Sequence, residues 1–90
     1  MKSVRVLISG RVQGVWYRAW TKEQAVSRGL SGWVRNRTDG TVEAVFAGGE
    51  ETVADMIAAC RQGPPLARVQ DMVQEDADEP ESGFATLLTQ

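Results

Sequence analysis

Apolar and polar residues alternate from Val4 to Val12, with Val4, Val6, Ile8 and Val12 on one face, which predicts a strand. Gly10 and Gly14 bracket its end and open a loop. Arg18 to Leu30 reads as a helix, with a thin apolar stripe of Ala25, Val26 and Leu30 and with Gly29 near its end. Trp33 to Arg37 predicts a second strand and Thr41 to Ala47 a third. Between them, Thr38-Asp39-Gly40 is a hairpin turn, because Asp and Gly both tolerate positive φ. Gly48-Gly49 breaks the third strand. Glu50 to Gln62 carries Val53, Met56, Ile57 and Cys60 at helical spacing, with Glu50 and Glu51 in the first turn and Arg61 in the last. Gly63-Pro64-Pro65 stops this helix. Arg68 to Glu75 predicts a strand, Asp76 to Ser82 an acidic exposed loop, and Phe84 to Leu88 a short final strand.

The order is β-α-β-β-α-β plus a terminal strand. It fits an α+β fold of the ferredoxin-like kind: a mostly antiparallel sheet with both helices on one face and a short extra C-terminal strand. A right-handed first crossover makes strands one and two parallel, with strand three between them. Their C-terminal ends then lie at the same edge of the sheet, roughly 10 Å apart. No linker or internal repeat divides the 90 residues, so residues 1–90 are expected to form a single domain.

Charge changes the picture. The net charge is only −2, but residues 1–37 hold eight of the ten basic side chains (Lys2, Arg5, Arg11, Arg18, Lys22, Arg28, Arg35 and Arg37) and one acid, Glu23. An anion would be drawn to whatever that half builds. The sequence contains no histidine. This removes the commonest general base, the usual nucleophilic triads and most catalytic zinc sites. One cysteine, Cys60, excludes an internal disulfide and fits a reducing compartment, hence an expected cytoplasmic location. No apolar run approaches the roughly 20 residues a membrane span needs, and no targeting signal is evident, so no membrane partner is expected.

Gly10-Arg11-Val12-Gln13-Gly14-Val15-Trp16-Tyr17-Arg18 leaves a strand and enters a helix. Such a junction points unpaired amides outward, and the helix dipole favours an anion there. Gly14 allows a sharp turn and close backbone approach. Arg18 can close on a phosphate with two parallel hydrogen bonds. The same pattern also suits an ordinary strand-to-helix turn with a solvated arginine. Asn36, near the end of strand two, can hold a water beside a phosphoryl group without repelling it; it can equally satisfy backbone at a strand end. Arg35 and Arg37 flank it on the opposite face and are expected to raise the local positive potential. Trp20 and Trp33 read as core or half-buried anchors, and Cys60 as buried and inert.

Taken together, these segments resemble the acylphosphatase family. Gly10-x-Val12-Gln13-Gly14-Val15-x-x-Arg18 is similar to the family's phosphate loop. Gly29-Leu30-x-Gly32-Trp33-Val34-x-Asn36-x-x-Asp39-Gly40-x-Val42-Glu43 is similar to its second signature. Cys60-Arg61-x-Gly63-Pro64-Pro65-x-Ala67-Arg68-Val69 is similar to the segment after its second helix. The resemblance implies that Arg18 binds a phosphoryl group, with Gly14 and the amides of Val15, Trp16, Tyr17 and Arg18 around it. It implies that Asn36 orients the attacking water. It implies hydrolysis of a small-molecule acyl phosphate to a carboxylate and inorganic phosphate, with no cofactor, metal or covalent intermediate; a monomer is expected only by default. The chain departs from the family in three places. Trp16-Tyr17 stands where phenylalanine is common, which would narrow the choice of acyl group. Phe84 to Leu88 lacks the basic or aromatic ending many members show, and the loop from Asp76 to Ser82 is unusually acidic.

Such chemistry needs no histidine. An acyl phosphate releases a carboxylate whose conjugate acid has a pKa of about 4, so no general acid is required. Water attack on a loose, metaphosphate-like centre needs little help from a base. Other readings of the same element order remain. An RNA-recognition domain would carry an aromatic Lys/Arg-Gly-Phe/Tyr pattern on strand three, which Thr41 to Ala47 lacks, so no nucleic-acid partner is expected. A regulatory anion-binding domain would keep the loop without turnover, and a different phosphate-ester hydrolase would share the phosphate site.

Overall fold

A computed structural model describes residues 1–90. The elements are β1 (Lys2–Arg11), α1 (Tyr17–Ser27), β2 (Ser31–Asn36), β3 (Val42–Gly48), α2 (Glu50–Gln62), β4 (Arg68–Asp76) and β5 (Phe84–Thr86). They form one sheet in the order β4-β1-β3-β2-β5. Every pairing is antiparallel except that of β5, which runs parallel to β2. β1 and β2 therefore run the same way with β3 between them, as the crossover rule requires. α1 lies over β2 and β5, and α2 over β1, β3 and β4, so the ferredoxin-like expectation holds.

The core lies between the helices and one face of the sheet. Val4, Val6 and Ile8 of β1 enter it beside Val42, Ala44 and Phe46 of β3 and Val53, Met56, Ile57 and Cys60 of α2. α2 has the expected bounds, because its apolar spacing and its glycine-proline stop agree. Phe84 of β5 stacks on Phe46 with ring centroids 5.8 Å apart, which ties the last strand to the core. Gly10 sits opposite a bulge in β4, where Gln70 is the extra residue, and a Cβ on Gly10 would lie 2.2 Å from the Arg68 carbonyl oxygen. Only glycine fits that approach.

α1 differs from expectation. It starts at Tyr17 and ends at Ser27. Past it, Gly29 turns left-handed at φ 70°, the Gly29 N–H donates to Val26 and the Leu30 N–H donates to Ala25. This is a Schellman stop, which leaves Leu30 as the apolar residue that packs back on the helix. The buried stripe is Tyr17, Thr21 and Ala25, while Val26 is exposed. Thr21 is tolerated inside because its hydroxyl donates to the Tyr17 carbonyl at 2.7 Å. The strands shift by one or two residues at their ends, and β5 stops at Thr86 rather than Leu88. Even so, the Leu87 and Gln90 N–H groups still donate to the carbonyls of Val34 and Asn36, so the tail follows β2 to its end.

β3 is buried on both faces, and its second face carries a charge. Glu43 pairs across the sheet with Leu7 and Arg35 and is 3% exposed. Its carboxylate accepts from Arg5 at 2.5 Å, Arg35 at 2.8 Å and Arg37 at 3.1 Å. Burial pushes this carboxyl up, but the hydrogen bonds and charges of Arg35 and Arg5 outweigh burial and hold it below its ordinary value. Glu43→Gln would leave the guanidinium groups facing a neutral amide. Breaking such a pair costs roughly 3–5 kcal/mol. We expect the low end, about 3 kcal/mol, because the arginines keep some water. That corresponds to a fall in Tm of more than about 10 °C, read by circular dichroism at pH 7. An unchanged Tm would show that the carboxylate does not hold the arginines. The pH dependence has a definite sign. A depressed folded-state pKa gives stability that is complete above the ordinary value of 4.5 and is lost as pH falls through the depressed one. The glutamine variant lacks that component.

Candidate active site

The loop between β1 and α1 is pinned at two points. The side chains of Val12 and Val15 are buried, at 1% and 3% exposure, which pulls the backbone on either side of Gly14 onto the core. Gly14 lies outside, at φ 72°, with open space where a Cβ would be. Its requirement is therefore conformational rather than steric. Trp16 is also left-handed, at φ 67°, and no other non-glycine residue has positive φ. That conformation costs on the order of 1–3 kcal/mol, and such residues cluster at functional sites.

The result is a concave run of amides. Trp16 occupies the N-cap of α1 without a side-chain cap, and the first turn has no acid. The N–H groups of Gly14, Val15, Trp16, Tyr17, Arg18 and Ala19 donate to no acceptor in the protein. Left-handed residues near a helix start make such a run an anion-binding concavity, aided by the helix dipole. Arg18 stands in the first turn, half-buried, with no ion-pair or hydrogen-bond partner, unlike Arg5, Arg28, Arg35 and Arg37.

Gly14, Trp16, Tyr17 and Arg18 share a cavity of about 530 Å³ with Asn36 and Thr86. Val15 does not line this cavity: its side chain faces the core, and it lies in the loop between Gly14 and Trp16 with its N–H unpaired. Asn36 is the last residue of β2 and lies on the same face as buried Val34. Its main chain pairs with Val42 and with Gln90. Its side chain makes no hydrogen bond within the protein, so it does not serve the strand end. The cavity wall carries no carboxylate. No cluster of three or more His, Cys, Asp or Glu side chains suited to a metal occurs in the chain.

Two expectations need correcting. Arg35 and Arg37 do not raise the potential at the cavity, because with Arg5 they face Glu43, Glu75 and Asp39. Arg35 also lies over the Trp33 ring at 4.9 Å, on the sheet face away from the helices. Tyr17 cannot select an acyl group with its ring, which is 1% exposed, and its hydroxyl donates to the Cys60 carbonyl at 2.5 Å. Burial raises its phenol well above the ordinary value. The C-terminal strand, whose lack of a basic or aromatic ending set it apart, does reach the cavity, through Thr86. Cys60 is buried as expected, and burial pushes its thiol up to about 12.

One further residue is absent from the sequence reading of the site. The Gln13 Nε2 donates to the carbonyls of Arg37 and Thr41, each at 2.8 Å. It clamps the loop to the β2–β3 turn directly after Asn36. The available signal was a polar side chain between buried Val12 and Val15, next to a glycine in an open turn.

Fold and cavity together define an α+β sandwich with an amide-lined pocket at one end of its sheet. Comparison with known proteins is more specific. The family model for acylphosphatase matches residues 4–86. An acylphosphatase of Rhodospirillum rubrum is 64% identical over 72 residues, covering 80% of this chain and 79% of that one. One from Rhodopseudomonas palustris is 60% identical, covering 94% and 93%. The crystal structure of acylphosphatase from Bacillus subtilis superposes with a TM-score of 0.91 at 34% identity, covering 97% of this chain and 99% of that one. The chain belongs to the acylphosphatase family, which bears out the resemblance carried by its two signatures.

Proposed function

We propose that this protein hydrolyses acyl phosphates to a carboxylate and inorganic phosphate at the cavity between the α1 loop and the end of β2. One observation carries the reading: a run of unpaired amides and an unpartnered arginine face a free amide side chain in a pocket without carboxylates. The N–H groups of Val15, Trp16, Tyr17 and Arg18, with the Arg18 guanidinium, hold the phosphoryl oxygens where charge accumulates in the transition state. Gly14 lets the backbone come close. Asn36 orients a water in line with the scissile P–O bond. The water oxygen bonds to phosphorus, the carboxylate oxygen leaves with the bonding pair, and the water's proton passes to a phosphate oxygen. Neither a metal nor a covalent enzyme intermediate takes part. The cavity is assembled within one chain, which supports action as a monomer, and a buried unpaired Cys60 fits a cytoplasmic setting.

The fold alone would also serve an anion-binding domain without turnover. The test is a rate measurement with benzoyl phosphate and, separately, a simple phosphate monoester, both with EDTA. Acyl phosphate should be consumed far faster than in buffer and the monoester hardly at all, since a poor leaving group needs an acid the pocket does not offer. Turnover of acyl phosphate at the buffer rate would leave only the binding reading.

A further inference from the structure

The sheet face away from the helices carries a row of alternating charge. Glu75 of β4 accepts from Arg5 of β1 at 2.7 Å. The Nε of Arg5 donates to Glu43 Oε2 on β3, and the Nε of Arg35 on β2 donates to Glu43 Oε1 at 2.8 Å. Arg35 closes the row on the side-chain oxygen of Gln90, in the tail that follows β2. Glu43 is the centre of the row and its one buried member. A buried charge is a costly way to fill a sheet face where an apolar side chain would serve. What it adds is a directional hold.

That hold bears on the cavity through the backbone. Glu43 stands on β3, between β1, which leads into the phosphate loop, and β2, which ends in Asn36. With one oxygen turned to each neighbour, its carboxylate links the two strands that bring the halves of the cavity together. Asn36 is the outermost residue of β2, where a strand frays most easily. Its side chain has no partner in the protein, so the direction of its amide follows from the backbone beneath it. Arg35 immediately precedes it and points to the opposite face. Anchoring Arg35 on a buried carboxylate fixes the peptide that joins the two residues, and with it the Cα–Cβ direction of Asn36. Arg37, on the other flank, is the dispensable anchor: its bond to Glu43 is longer, at 3.1 Å, and Asp39 lies 4.0 Å from it.

We propose that Glu43 is a positioning residue for the hydrolysis: through Arg35 it holds Asn36 so that the amide side chain aims the attacking water at phosphorus. The inference rests on Asn36 orienting that water. Glu43 itself touches neither water nor substrate, since it lies on the other face of the sheet. A misplacement of about 1 Å at a reacting group can cost on the order of a hundredfold in rate. With the main-chain pairings of Asn36 still in place, a loss of about tenfold is expected.

Kinetics with benzoyl phosphate on Glu43→Gln, Asn36→Ala and the double variant, well below each Tm, test this. Glu43→Gln should lower kcat about tenfold, while KM and inhibition by inorganic phosphate stay within about twofold. In the Asn36→Ala background the same change should cost less than about twofold, because no amide remains to be aimed. Val53→Ala cuts the core under α2 without touching the row, and should lower Tm but keep kcat. A merely structural role for Glu43 would give that result. Arg35→Gln leaves the carboxylate with Arg5 and Arg37, so it decides the matter if Glu43→Gln does not fold. It should show the same pattern with a several-fold loss. Normal kcat in either folded variant would overturn the role of Glu43. So would a loss shared equally by kcat and phosphate binding, or a full further loss in the absence of Asn36. Normal kcat in Asn36→Ala would instead remove the reading on which the role rests.

Discussion

Arg18→Ala is expected to lower kcat/KM for benzoyl phosphate by about a thousandfold while the protein stays folded. Loss of one preorganised donor to developing charge typically costs 10²–10³ in rate, and an arginine on a transferring phosphoryl group is at or above that range. The upper value is expected here for two reasons. Arg18 is the one cationic side chain on the cavity wall, and no internal carboxylate competes for it. Its removal breaks no ion pair, so the fold should not suffer. Arg18→Lys separates charge from geometry. Lysine restores the cation but not the planar fork, and about a hundredfold loss should remain. Steady-state rates beside matched melting curves decide the matter. A lysine variant with wild-type turnover would mean that only charge matters, and an alanine variant with normal rates would remove Arg18 from the mechanism.

Asn36→Ala should act differently. It should reduce kcat by a few hundredfold, since loss of an oriented nucleophile costs on the order of 10²-fold or more. Inhibition by inorganic phosphate should hold within a few-fold, because the amides from Val15 to Arg18 and the Arg18 side chain are untouched. The substitution also spares the fold: the strand-end pairings of Asn36 with Val42 and Gln90 are made by main chain alone. Combined turnover and phosphate-inhibition measurements separate the roles. Equal losses in both would assign Asn36 to phosphate binding rather than to the water.

The legible parts of this chain are those whose physics is local. α2 was readable because its apolar spacing, acidic first turn and Gly63-Pro64-Pro65 stop all agree. Of the expected α1 stripe, Ala25 and Leu30 are buried but Val26 is not: hydropathy favours Val26 over Thr21, whereas the helix hides the threonine hydroxyl on its own backbone and leaves the valine in water. In the pocket, the stretch from Gly10 to Arg18 was readable because turn, amides and arginine are contiguous. Thr86 was not, since it arrives through parallel pairing of β5 with β2. Gln13 was missed for the same reason: its acceptors lie 24 and 28 residues away. The charge reading failed at Arg35 and Arg37 because counting along a sequence does not show which cations face a shared buried carboxylate. Glu43, near the start of an otherwise apolar strand, reveals that only once the register is known.

The Gln13 clamp has a consequence for how the enzyme tolerates change. Both of its acceptors are carbonyl groups, which every amino acid supplies. The β2–β3 hairpin can therefore exchange side chains at Arg37 and Thr41 without losing the link between the phosphate cradle and Asn36. On the proposed mechanism, the line of attack is insulated from sequence drift in the turn beside it, and mutational sensitivity should concentrate in Gln13 itself.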